Sequence, residues 1–176
     1  GPKLWVQRDD QTGLATGGNK TRKLEFLLGD ALEQNADLMM TVGAPQSNHA
    51  RQTAAAAAQA GLRSVLVLRG TPQTERVGNI LIDDLIGAEV RWAGDRPPQD
   101  LMNTIADVMK LKGHRPYMIP LGGSNAVGAV GYVTGMQELL DQAQTLNVNF
   151  DAIVFATSSG GTQAGLVVGA RRAGYT

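Results

Sequence analysis

Short apolar runs alternate with longer amphipathic or alanine-rich stretches along this chain, and glycine stands at the joints. The runs fall at 4–6, 38–42, 64–68, 117–120 and 152–156, and 89–92 reads as a further strand. Each is short enough for a buried strand and too short for a helix that pays its own nucleation cost. Between them, Leu24, Leu27, Leu28, Ala31 and Leu32 repeat at three-four spacing, one apolar face of a helix. Ser47 and Asn48 are good caps for the alanine-rich helix that follows, and Gly61 stops it. Further helices are expected over 77–86, closed by Gly87, and through Leu101, Ile105, Val108 and Met109 beyond the Pro97-Pro98 turn. Another spans 127–146, where Gly128, Gly131 and Gly135 permit close packing on a neighbour. A last helix begins near Thr162 and is still running at Thr176. Strand and helix in this alternation predict an α/β fold of parallel, twisted sheets with flanking helices. Ligands of such folds sit at the carboxyl ends of the strands.

Composition removes several function classes. The 176 residues contain no cysteine and two histidines, His49 and His114. That excludes disulfide frameworks, thiolate metal sites and cysteine nucleophiles, and leaves too little histidine for a histidine-rich centre. Sixteen basic residues balance sixteen acidic ones, so no basic footprint for nucleic acid exists. The longest apolar runs fall far short of a membrane span. Hydrophobic residues at 43% and charged residues at 18% are the proportions of a globular chain with a real core.

Three loops merit chemical reading. Thr157-Ser158-Ser159-Gly160-Gly161-Thr162 follows an apolar run and opens a helix. Its backbone N–H groups and hydroxyls suit a phosphate, although a plain capped turn has the same composition. No dinucleotide or P-loop fingerprint accompanies it. Gly17-Gly18-Asn19-Lys20-Thr21-Arg22-Lys23 puts Lys20 and Lys23 on one face at a helix start. There the dipole opposes their charge. An amine whose charged form is disfavoured is a usable nucleophile toward a carbonyl; a solvated polar turn is the plainer alternative. In Pro45-Gln46-Ser47-Asn48-His49-Ala50-Arg51, Ser47 and His49 are two apart, so they do not face each other and a hydrolase triad is not indicated. Ser47 can be a cap alone, and His49 a buried, hydrogen-bonded residue. Arg8-Asp9-Asp10 reads as structural, Gly122-Gly123-Ser124-Asn125 as a second anion turn or a helix start, and His114 as a surface residue.

Taken in order, these motifs, with Ala50-Arg51-Gln52-Thr53 and Gln163-Ala164-Gly165 completing theirs, resemble the D-cysteine desulfhydrase and 1-aminocyclopropane-1-carboxylate deaminase family. The resemblance runs the length of the chain. It implies a pyridoxal-phosphate enzyme of the tryptophan-synthase-β-like fold, fold type II. Lys20 matches the lysine that holds the cofactor as a Schiff base, and Lys23 a lysine near its phosphate. Asn48 matches the asparagine that bonds the pyridine 3′-oxygen. Ser47 matches a serine that binds the substrate carboxylate or moves a proton. Ser159, Gly160, Gly161 and Thr162 match the phosphate loop.

The resemblance also implies a division of the chain. Residues 1–36 are expected to belong to a larger cofactor domain, 37–123 to a small α/β domain, and 124–176 to the larger domain again. Relatives are roughly twice as long, so the chain is expected to be a fragment with an incomplete C-terminal half. The partners of the pyridine nitrogen and the pocket tyrosines would lie after Thr176. Gln7 stands where relatives commonly have lysine, away from the cofactor contacts. His49 in Ser47-Asn48-His49 is similar to the desulfhydrase branch, so β-elimination of D-cysteine to pyruvate, sulfide and ammonia is the first expectation. L-cysteate sulfo-lyase and 1-aminocyclopropane-1-carboxylate deaminase follow. A non-catalytic binder of the cofactor is the alternative of another class. A small amino-acid substrate, a homodimer at full length and a cytoplasmic location complete what the resemblance implies, with no nucleic acid, membrane or metal.

Overall fold

The computed structural model describes residues 1–175. Four strands, β1 (Leu38–Gly43), β2 (Arg63–Leu68), β3 (Glu89–Trp92) and β4 (Pro116–Ile119), form one parallel sheet in the order β3-β2-β1-β4. Six α-helices accompany them: α1 (Thr21–Glu33), α2 (Asn48–Gln59), α3 (Gly78–Ile86), α4 (Pro98–Leu111), α5 (Ala126–Thr145) and α6 (Gly161–Arg172).

Every residue of β1 is buried, because helices cover both faces of the sheet. The strand period of two sorts the contacts. Leu38, Met40 and Val42, with Val65 and Val67, meet Met102 and Ala106 of α4. Met39 faces the other way, toward Leu24, Leu27 and Ala31 of α1 and Ala56 and Ala57 of α2. Leu66 and Leu68 meet Ala50 and Ala54. Each leucine, methionine or isoleucine fully buried here contributes about 1.5–3 kcal/mol. Alanine makes α2 a strong helix former and lets its axis lie close on the sheet. Ser47 caps α2, its hydroxyl accepting from Ala50 N at 3.1 Å, worth about 1 kcal/mol. Gly87 ends α3 in the left-handed conformation, with φ 81°. Outside the sheet layer, α5 packs on α1 and α6 packs on α5.

Two expected strands do not form. Residues 4–6 and 152–156 have no regular structure, and Leu4, Val6 and Val154 are exposed. A strand is a pairing, and these segments find no partner among the described residues. A single sheet is therefore present among those residues, where more than one was expected. The last helix ends at Arg172, before the expected limit; Thr176 lies outside the described residues. No helix among the described residues is long and apolar enough to cross a membrane.

Candidate active site

The order β3-β2-β1-β4 places the topological switch between β1 and β4, and the crevice there opens at their carboxyl ends. β1 runs out into the turn that carries Ser47 and Asn48, and β4 into Gly122-Gly123-Ser124. α1 brings its first turn to the same place.

Lys23 is 1% exposed. Its Nζ donates to Gly122 O and to Ser124 Oγ, both at 3.1 Å. Ser124 Oγ is 2.6 Å from Ser159 Oγ, so the loop before α6 closes on the same amine. A Cβ on Gly161 would stand 2.6 Å from Ser124 Oγ and 2.8 Å from Lys23 Nζ, so only glycine leaves this hollow open. α6 begins here without a side-chain cap, and its first N–H groups lack intrahelical acceptors. An ammonium, hydroxyls and unpaired N–H groups around a hollow suit a phosphate. The structure thus brings Lys23 together with Ser159, Gly161 and Thr162; Thr162 is buried, and Gly160 holds the loop with φ 81°.

Burial, with the charge of Lys20 added, pulls the Lys23 ammonium down to about 8. Two opposite pH trends are expected. An unfolded chain keeps the lysine near 10.5, so it binds the extra proton between pH 8 and 10.5. Ligand-free stability therefore rises with pH across that window. Phosphate binding needs the ammonium and weakens above about pH 8, by up to about tenfold per unit. Melting curves from pH 7 to 10, with and without inorganic phosphate, check both. A phosphate-induced increment that grew with pH would contradict this assignment.

Lys20 stands immediately before α1, half-buried, with Nζ donating to Asn19 Oδ1 at 3.1 Å. Burial lowers its pKa. The loop leading to it is held from α2. Arg51 donates Nη1 to Ala15 O and Thr16 Oγ1, and Nη2 to Gly17 O at 2.9 Å. Gln52 Nε2 donates to the same Gly17 O at 2.6 Å. Thr12 Oγ1 bonds both Gly18 N and Gly18 O. Ala15 and Thr16 have φ of 43° and 69°, a region that costs non-glycine residues about 1–3 kcal/mol each, and the Arg51 bonds offset that strain. On the other side, Tyr132 Oη lies 3.1 Å from Asn19 O and 2.8 Å from Asp9 Oδ2, and Arg22 bridges Asp9 and Glu138. Asp9 is therefore structural, as is the Arg8–Asp10 pair.

Ser47 keeps its hydroxyl proton, since the cap uses only a lone pair. Asn48 is exposed at the mouth of the crevice, with Oδ1 accepting from Asn79 Nδ2 at 3.0 Å and Arg51 Nη2 at 3.4 Å. His49 lies beneath: buried, pulled down to about 3 by burial and both lysines, and bonded through Nε2 to Thr41 Oγ1 at 2.8 Å. It is a neutral core residue. His114 is half-exposed and paired with Asp37. Arg51, Gln52 and Asn79 had no role from sequence reasoning. Two polar residues leading the alanine-rich, buried α2 were the available signal.

The chain is similar to known proteins over most of its length. A D-cysteine desulfhydrase of Serratia proteamaculans is 46% identical over 175 residues, which cover 96% of this chain and 53% of that protein. A Pyrococcus furiosus protein, provisionally named 1-aminocyclopropane-1-carboxylate deaminase, is 49% identical over 172 residues, covering 96% and 52%. A crystal structure of an ACC deaminase homologue superposes with a TM-score of 0.87 at 47% identity, covering 93% of this chain and 50% of that one. The fold is that of the fold type II enzymes. The chain spans about half the length of the curated relatives it matches. The family described as pyridoxal-phosphate dependent enzyme matches residues 1–176. The chain belongs to the pyridoxal-phosphate dependent enzyme family.

Proposed function

We propose that this protein converts D-cysteine and water to pyruvate, sulfide and ammonia, with pyridoxal phosphate as cofactor. The observation that carries the reading is the division of labour between two lysines. Lys23 is committed to the hollow by Gly122 O and Ser124 Oγ, whereas Lys20 has only Asn19 Oδ1 and a lowered pKa. The residues fit the cofactor: Lys23 with Ser124, Ser159, Gly160, Gly161 and Thr162 would hold its phosphate, Lys20 its carbonyl carbon, and Asn48 its 3′-oxygen. Bound pyridoxal phosphate supplies a sink for the electron pair left at the substrate α-carbon.

The chain's own groups handle the proton. Burial keeps more of Lys20 neutral than an exposed lysine would be, and the neutral amine takes the proton from the α-carbon. Ser47, whose hydroxyl proton is not used by the cap, donates to the substrate carboxylate or relays that proton. Sulfide leaves from the β-carbon, and water completes pyruvate and ammonia. Ser47-Asn48-His49 and the Serratia relative support the desulfhydrase reading.

The Pyrococcus relative and the solved homologue support a second reading, deamination of 1-aminocyclopropane-1-carboxylate. The domain division at 36 and 123 is part of this proposal; the sheet's confinement to β1–β4, with α5 and α6 outside it, supports it. A cytoplasmic homodimer is likewise proposed for the full-length protein.

The test assays full-length protein with pyridoxal phosphate on D-cysteine, L-cysteate and 1-aminocyclopropane-1-carboxylate. Pyruvate and sulfide from D-cysteine, at a kcat/KM at least about tenfold above the others, is expected. Preferred release of a four-carbon oxo acid would select the second reading, and sulfite the L-cysteate lyase. No turnover with any of them would leave a cofactor binder without elimination chemistry.

A further inference from the structure

The orientation of the Asn48 amide is decided by its neighbours. Gln46 O accepts from Asn79 Nδ2 at 2.8 Å, and a carbonyl only accepts, so the end of Asn79 turned this way is its NH2. The second hydrogen of that NH2 reaches Asn48 at 3.0 Å, so the atom receiving it is Oδ1. Arg51 Nη2, 3.4 Å from the same atom, gives the same answer independently, because a guanidinium has no acceptor. Two donors hold the Asn48 oxygen, and no acceptor takes its Nδ2 among the described residues. Asn79 is itself fixed at the start of α3: its N donates to Gln46 Oε1 at 2.7 Å, and Gln46 Nε2 donates to Val77 O at 3.1 Å. An exposed asparagine without such neighbours would exchange its oxygen and nitrogen freely.

We infer that Asn79 is a positioning residue that turns the Asn48 amide so that its NH2, and not its oxygen, meets the 3′-oxygen of the cofactor. The inference rests on the reading of Asn48 proposed above and deepens it. A donor at that position favours the ionised 3′-oxygen. An inverted amide would present a carbonyl and repel it. The ring 3′-oxygen is conjugated with the carbon that Lys20 holds, so the visible absorption band of the holoprotein reports its ionisation.

The experiment compares variants of the full-length holoprotein by absorption spectrum, pH titration of the band and cofactor dissociation constant. Asn79→Asp is nearly isosteric and replaces the NH2 with an acceptor, which draws the Asn48 NH2 toward itself. It should shift the band and its pH midpoint in the direction of Asn48→Ala and weaken cofactor binding about tenfold. Asn79→Ala leaves the Asn48 oxygen held by Arg51 Nη2 alone, at 3.4 Å, and should give a smaller shift of the same sign; it also serves if the aspartate variant does not fold. Gln46→Ala removes the bond to Asn79 N but keeps the backbone Gln46 O that accepts from Asn79 Nδ2, so it loosens the turn and should leave the band in place. A merely structural role for Asn79 would move the melting temperature in all three and the band in none.

If Asn48→Ala moves the band and both Asn79 variants keep the parental spectrum, the inference is overturned and the reading of Asn48 stands. If Asn48→Ala also keeps it, Asn48 does not meet the 3′-oxygen, and both fall. Borohydride trapping at Lys20 then shows whether the cofactor assignment survives them.

Discussion

Lys20→Ala is expected to abolish single-site borohydride labelling by pyridoxal phosphate and to lower turnover by about 10³-fold or more. The neighbouring amine cannot take over. Lys23 Nζ is tied to Gly122 O and Ser124 Oγ, and its side chain is 1% exposed, so reaching the carbonyl carbon would break both bonds and empty the hollow proposed for the phosphate. The loop that delivers Lys20 is gripped by Arg51, Gln52 and Thr12 whatever side chain follows, so the fold should survive. Removing a partly buried charge should even raise ligand-free stability slightly. Reduction, digestion and mass spectrometry of the labelled peptide, beside a pyruvate assay, read both effects. A label that moved to Lys23 with turnover retained would exchange the roles of the two lysines.

Gly131→Ala should produce a large loss of stability. The added Cβ would stand 2.0 Å from Arg22 O, 2.4 Å from Arg22 C and 2.9 Å from Lys23 N. These are backbone atoms and cannot rotate away, so α5 must back off from α1. Overpacking of this kind costs about 3 kcal/mol or more, roughly 10 °C in a chain of this size. Lys23 lies in the contact, so cofactor affinity should fall with stability. Gly29→Ala is the control on the exposed side of α1: nothing lies within 4 Å of its Cβ, and it should stabilise by about 0.5–1 kcal/mol. Thermal melts of both variants decide, and equal effects would refute the close contact of α1 with α5.

The strands at 38–42 and 64–68 were legible because burial on both faces of a parallel sheet writes continuous apolar runs, whereas the edge strands at 89–92 and 117–120 are only partly buried and were legible from their place in the alternation with helices. The runs at 4–6 and 152–156 look the same in sequence, yet periodicity says only that a segment is apolar. Whether another strand lies beside it is not a local property. Helix limits were legible to within a residue or two where a cap marked them, as at Ser47 and Gly87. At the site, Lys20, Lys23, Ser47, Asn48 and the loop 159–162 stood out because their residue types carry chemistry in fixed motifs. Arg51, Gln52 and Asn79 did not, since their work is done on backbone and amide groups some thirty residues away. Only the packing of α2 against the 12–18 loop and against α3 makes those distances short.

The hollow proposed for the phosphate draws on α1, on the turn after β4 and on the loop before α6, whereas all four strands of the sheet lie between the first of these and the last. On the ribosome, then, the sheet is fully synthesised well before Ser159 and Gly161 emerge. A nascent chain could organise its sheet while Lys23 still lacked half its surroundings. On the proposed assignment, capture of the cofactor falls late in biosynthesis, after the sheet-forming residues have already been committed.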